Sequence, residues 1–161
     1  FSIRFKSMQN ISIIKHAKSA PGLRLYGAGV NLRPCQGLAK LKSLFDDNTS
    51  WATNRNISDL KMMLFNSSIV VSAWHFKQMV GFGRATSDKT FRAVLWDIVI
   101  DNNFQGLGLG QSIVKTILES KELKHTEKIY LMTTNSETFY NKIGFKSITS
   151  QKLVMIYNKN N

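Results

Sequence analysis

Apolar residues recur along the chain with two different periods. Between residues 35 and 47, Leu38, Leu41, Leu44 and Phe45 fall on one face of a 3.6-residue repeat, which predicts an amphipathic helix. A second helix is expected from Ser58, a residue type suited to capping, through Leu60, Met63 and Leu64. Ile69–Trp74, Met79–Thr86 and Arg92–Asp101 then read as three consecutive strands, joined by segments short enough for antiparallel hairpins. After Gly110 the helical period returns, with Ile113, Val114, Ile117 and Leu118 on one stripe and Lys115 and Glu119 outside it. Lys128–Thr133 reads as a short buried strand. Ser136 reads as the cap of a brief helix that Gly144 ends, at a position where left-handed backbone costs glycine little. Leu23–Gly29 is the candidate first strand, and Phe145–Thr149 and Leu153–Tyr157 the candidate last two.

The order β, αα, βββ, α, β, α, ββ implies an α+β fold: one domain, a mixed and mostly antiparallel sheet flanked by helices. A length of 161 residues fits a single domain over 21–161, preceded by a basic extension at 1–20. That extension, rich in serine, lysine and arginine and without an acidic residue, has the composition of an organellar transit peptide, while Met8 offers an alternative start. No apolar run approaches the ~18 residues of a membrane span, so no membrane role is expected. The one cysteine, Cys35, has no partner for an intramolecular disulfide and sits in no metal-binding pattern. It reads as a buried thiol in a reducing compartment, a bacterial cytosol or a plastid stroma, and no metal is expected.

Net charge is the unusual bulk property. At +12 it suits a polyanionic partner: nucleic acid, a membrane surface or a phosphorylated small ligand. The basic residues are scattered, with no arginine-rich block and no nucleic-acid-binding signature, so nucleic acid is not the expected partner. One junction fits the third option. The strand Ala93–Asp101 leads through Gly106, Gly108 and Gly110 into the start of the Ile113 helix. Free N–H groups and the helix dipole there favour an anion, and glycines let the backbone approach phosphate oxygens closely. A P-loop would need Gly-Lys-Ser/Thr, but Gln111 follows Gly110. A dinucleotide loop would need Gly-x-Gly-x-x-Gly and an acidic residue at the end of the next strand, which closes instead on Met132-Thr133-Thr134.

The remaining pattern, Gln105-x-x-Gly108-x-Gly110, resembles the Arg/Gln-x-x-Gly-x-Gly/Ala loop of GNAT acetyltransferases. Phe139-Tyr140-Asn141-Lys142-Ile143-Gly144-Phe145 is similar to an element near the end of that fold. Trp96-Asp97-Ile98-Val99-Ile100-Asp101 and Gly81–Asp88 resemble a narrower branch found in cyanobacteria and in plastids of algae and plants. The resemblance covers about residues 38–148. It departs at Asn102, where the family commonly has proline.

The resemblance implies an N-acetyltransferase that uses acetyl-CoA as co-substrate and acetylates a primary amine, on a small molecule or a protein. Backbone groups around Ile98 and Ile100 would pair with the pantetheine arm. Gln105 would open the pyrophosphate loop, with N–H groups of Gly106, Leu107, Gly108, Leu109 and Gly110 as the donors. Asn135, after the next strand, would support the cofactor, or else cap the following helix. Tyr140 would be the general acid for the departing thiolate, since a phenol keeps its proton at neutral pH. Asp97, alone in an apolar strand, is the first candidate for general base, because burial would strengthen it, with Asp101 a weaker one; a structural carboxylate is the competing reading. Trp51, Trp74 and Trp96 are either core or the lining of an acceptor pocket. A non-catalytic acyl-CoA-binding module remains the alternative function, and a homodimer remains open.

Overall fold

The computed structural model describes residues 10–16, 36–149 and 154–159. The chain divides into two compact units, Phe1–Leu131 and Met132–Asn161. The larger holds a five-stranded sheet in the order β1 (Ile11–His16), β2 (Ile69–His75), β3 (Gln78–Ser87), β4 (Arg92–Ile100) and β5 (Lys128–Tyr130). The pairs β1–β2, β2–β3 and β3–β4 are antiparallel, and β5 is parallel to β4. Helices α1 (Gly37–Asn48) and α2 (Ile57–Asn66) precede β2, and α3 (Leu109–Leu118) joins β4 to β5.

Side-chain alternation along β3 decides which helix covers which face. Phe82 points to one side and meets Phe45 of α1 edge-on, with ring centroids 5.5 Å apart. Around that pair Leu38, Leu41, Leu44, Leu60, Leu64, Met79 and Val99 form a buried cluster. Each fully buried residue of this size contributes roughly 1.5–3 kcal/mol, more than helix propensity could, so packing holds α1 and α2 in place. Gly81 and Gly83 point to the other side, beneath α3. A Cβ on Gly83 would lie 2.7 Å from Ile98 Cδ1 and 2.8 Å from Ile113 Cγ2, so α3 docks because those positions carry no side chain. Ile113, Val114 and Ile117 of the expected stripe are buried against the sheet, while Leu118 is only half-buried.

Several expectations are corrected. Asn56, not Ser58, caps α2: its Oδ1 accepts the Asp59 N–H at 2.8 Å, while the Ser58 hydroxyl donates to the same oxygen. Residues 11–16, read as part of a basic extension, are strand β1. Its His16 is buried, with Nε2 2.7 Å from Ser72 Oγ, which also accepts from Trp74 Nε1 at 2.8 Å. β5 ends at Tyr130, short of the expected Thr133. The candidate strand Leu23–Gly29, Cys35 and Leu153 lie outside the described residues.

In the smaller unit the brief helix is α4 (Glu137–Asn141), with Ser136 at its N-cap but no side-chain bond there. Gly144 takes the left-handed conformation expected of it, φ 104°, and the Phe145 N–H donates to the Tyr140 carbonyl. Residues 145–149 and 154–157 are not strands: no ladder of backbone bonds pairs them among the described residues. No described helix is long and apolar enough to cross a membrane.

Candidate cofactor site and its surroundings

β4 is paired to β5 only through Arg92, Ala93 and Val94. Beyond Val94 its outer edge has no strand partner among the described residues, which leaves backbone groups of the stretch containing Ile98 and Ile100 on an open edge. The Ile98 and Ile100 side chains lie over Gly83 and Gly81 and are half-buried there. Asp101 then turns the chain. Its Oδ1 accepts the Asn103 N–H at 2.8 Å and its carbonyl accepts the Phe104 N–H, closing a short 3-10 turn over 102–104. Asn48, at the end of α1, accepts the Asn102 N–H at 2.9 Å and fixes the turn to the body of the unit. These bonds account for Asp101 as a turn residue.

The glycine run follows. Gln105 folds back, donating from Nε2 to the Ile100 carbonyl at 3.3 Å and to Asn102 Oδ1 at 3.1 Å. Gly106 and Gly108 have φ of 77° and 79°, a conformation that would strain most other residues. In front of both, a Cβ would meet nothing within 4 Å. Gly108 is the N-cap of α3 and supplies no side-chain bond, and the first turn carries no acidic residue. The first helical bond runs from Ser112 N–H to the Gly108 carbonyl at 3.0 Å, so the amides of Leu109, Gly110 and Gln111 have no partner within the helix. Open space, outward amides and the positive end of a helix dipole together fit a pyrophosphate.

Asp97 is not the lone carboxylate in an apolar strand that the sequence suggested. The β3–β4 register slips between Phe82 and Arg84, setting Asp97 and Ile98 opposite Gly83. This is a β-bulge, and Asp97 sits in it at φ 52°. Its side chain is 6% exposed, and each of its oxygens is taken. Arg84 Nε donates to Oδ2 at 2.7 Å, and Arg55, from the segment between α1 and α2, donates from Nη1 to Oδ1 at 3.1 Å. Each guanidinium lies near an aromatic ring: Arg84 by Trp96 at 5.8 Å and Arg55 by Phe45 at 5.3 Å. A buried carboxylate with a guanidinium bonded to each oxygen matches the structural carboxylate that was the competing reading of Asp97. Sequence reasoning missed Arg55 and Arg84 because ion pairs 42 and 13 residues apart leave no local signal.

In the smaller unit Tyr140 is half-buried, with the Phe139 and Phe145 rings at 4.9 and 5.9 Å. Burial pushes its phenol above the ordinary value of 10.0, so it holds its proton firmly at neutral pH. Asn135 is exposed, before α4. The three tryptophans are not joined by any ring contact among the described residues. Trp74 is core, Trp96 donates from Nε1 to Thr86 Oγ1 at 2.8 Å, and Trp51 is 64% exposed.

Fold and junction together define an α+β domain whose fourth strand passes, through a glycine turn, into a helix start suited to anions. Residues 66–147 match the family model described as an acetyltransferase (GNAT) domain. A ycf52 N-acetyltransferase of the red alga Pyropia yezoensis is 38% identical over 104 residues, 62% of this chain and 59% of that protein. A ycf52-like N-acetyltransferase of Prochlorococcus marinus is 31% identical over 113 residues, 67% of this chain and 62% of that protein. The match thus spans less than two thirds of either relative. Among solved structures, a GNAT-family acetyltransferase of Streptococcus pneumoniae superposes with a TM-score of 0.69 at 20% identity, covering 94% of this chain and 99% of that one. This chain belongs to the GNAT acetyltransferase family.

Proposed function

We propose that the protein transfers an acetyl group from acetyl-CoA to a primary amine. The observation that carries this reading is the β4–α3 junction, with left-handed Gly106 and Gly108, clear space before them and outward amides at the start of α3. A net charge of +12 adds a long-range attraction for so anionic a ligand. When bound, acetyl-CoA supplies an activated acetyl thioester. The backbone N–H groups of Gly106, Leu107, Gly108, Leu109 and Gly110 hold its pyrophosphate, the open edge of β4 at Ile98 and Ile100 aligns its arm, and Asn135 supports it further along.

The acceptor nitrogen must be neutral to attack. An ordinary lysine-like amine is neutral in only ~1 molecule in 2,000 at pH 7, so the protein favours acceptors of lower basicity or takes up the proton through water. Tyr140 donates its phenolic proton to the departing sulfur as the C–S bond breaks, and the proton shed by the newly acylated nitrogen passes through water and restores the phenol. Asp97 is left out of the proton chemistry because both its oxygens are engaged. The red-algal and cyanobacterial relatives support a site of action in a plastid stroma or a bacterial cytosol.

The direct test is a panel of amines (small amines, polyamines, peptides with free N-termini and lysine peptides) read by release of free CoA thiol. Amine-dependent release with at least one acceptor class is expected. Binding of acetyl-CoA with no release across the panel would instead mark a non-catalytic acyl-CoA-binding module.

A further inference from the structure

The Asp97 cluster stands apart from the glycine loop, yet it occupies the strand that the proposed acetyl-CoA arm would follow. A non-glycine residue at φ 52° inside a strand is costly unless its surroundings hold it there. Here the hold is explicit. Asp97 is fixed from β3 by Arg84 and from the α1–α2 segment by Arg55. Both cations are themselves braced: Arg84 Nη1 donates to Ser67 Oγ at 3.4 Å, and Arg55 Nη1 reaches Met63 Sδ at 3.6 Å. Two separate elements, β3 and the α1–α2 segment, thus converge on one carboxylate at the point where β4 changes register.

We infer that Asp97 is a positioning residue: with Arg55 and Arg84 it sets the bulge in β4 and so the alignment of the Ile98–Ile100 edge, and it couples the α1–α2 segment to that edge. This inference rests on the proposed use of that edge for acetyl-CoA. It assigns Asp97 no contact with the reacting atoms. A clamp of this kind acts on how the co-substrate is held, whereas a general base acts on how fast a held pair reacts.

Two substitutions separate these roles. Asp97→Asn tolerates the left-handed conformation and can still accept from a guanidinium, but it cannot take a proton. Arg55→Ala removes one jaw of the clamp, and would free a base rather than harm it. The measurements are kcat and KM for acetyl-CoA across pH, with the melting temperature of the unliganded protein. For Asp97→Asn we expect kcat within about tenfold of wild type and an unchanged shape of the pH profile, well short of the ~10²–10⁴-fold expected of an acid–base group. For Arg55→Ala we expect the acetyl-CoA KM to rise roughly tenfold to a hundredfold, as for a misplaced substrate, with partial recovery in Arg55→Lys.

A fall of a hundredfold or more in kcat for Asp97→Asn, at unchanged KM and melting temperature, would overturn the inference in favour of a base. So would wild-type constants in Arg55→Ala. Should Asp97→Asn not fold, the Arg55→Ala and Arg55→Lys pair, at a partly exposed side chain, carries the test alone. Wild-type protein that fails to bind acetyl-CoA would defeat the functional reading itself, whatever the variants do.

Discussion

The Tyr140 ring packs against Phe139 and Phe145, and the Asp97 carboxylate lies between two guanidinium groups. Tyr140 lies in a short local motif, Phe139-Tyr140-Asn141-Lys142, so its candidacy needs no knowledge of distant residues. Asp97 was visible only as a charge in an apolar strand; what holds it comes from β3 and the α1–α2 segment. For Tyr140 the account predicts that Tyr140→Phe, which removes a hydroxyl and keeps the ring between Phe139 and Phe145, leaves acetyl-CoA affinity nearly unchanged. Turnover should fall by about 10²–10⁴-fold. The pH dependence has a definite sign. The acid works protonated, and burial raises its pKa, so wild-type turnover holds through neutral and mildly alkaline pH and falls only above the ordinary phenol range. The Phe variant lacks that fall. Folding stability shifts in the same direction, because above the unfolded tyrosine's pKa the open chain ionises while the buried ring resists. A loss of turnover below about threefold, far under the acid–base range, would return Tyr140 to a packing role.

Elements with a strong period were readable, and those defined by their partners were not. Leu38, Leu41, Leu44 and Phe45 are all buried on α1, and Ile113, Val114 and Ile117 on α3, because an amphipathic face states its own orientation. β1 is six residues inside a basic, serine-rich stretch, and its place in the sheet depends on pairing with β2 more than fifty residues away. The closing strands expected at 145–149 and 153–157 show the converse: 145–149 and 154–157 are β-prone in composition, but no ladder pairs them among the described residues. The β3 glycines express a constraint of packing between elements, which single-strand reading does not see. Gly83→Ala should place a methyl against Ile98, Ile113 and Ile117, and overpacking of that kind costs about 1–3 kcal/mol. Urea denaturation should show a lower midpoint with an unchanged slope. Wild-type stability in that variant would mean that α3 sits less tightly on the sheet than the contacts state.

At the scale of the whole molecule, charge, fold and junction suit the proposed function: an excess of cations would draw a polyanion, the open edge of β4 would receive an extended arm, and the start of α3 would take the phosphates. Family membership was legible from two motifs about thirty residues apart, because glycines at a helix start and an aromatic–glycine element can each be read from neighbouring residues. The acceptor is not legible in the same way, since amine recognition resides in surface contacts with no fixed spacing. The most direct test of the account is the thermal shift produced by acetyl-CoA in wild-type protein and in Gly108→Asp. At a hundredfold excess over its dissociation constant a ligand adds ~2.7 kcal/mol, which for a domain of this size is roughly 5–10 °C. Wild type should shift by that order, less with NADH and ATP, and folded Gly108→Asp, whose carboxylate would occupy the phosphate position, should not shift with acetyl-CoA. An equal acetyl-CoA shift in wild type and Gly108→Asp would contradict the account.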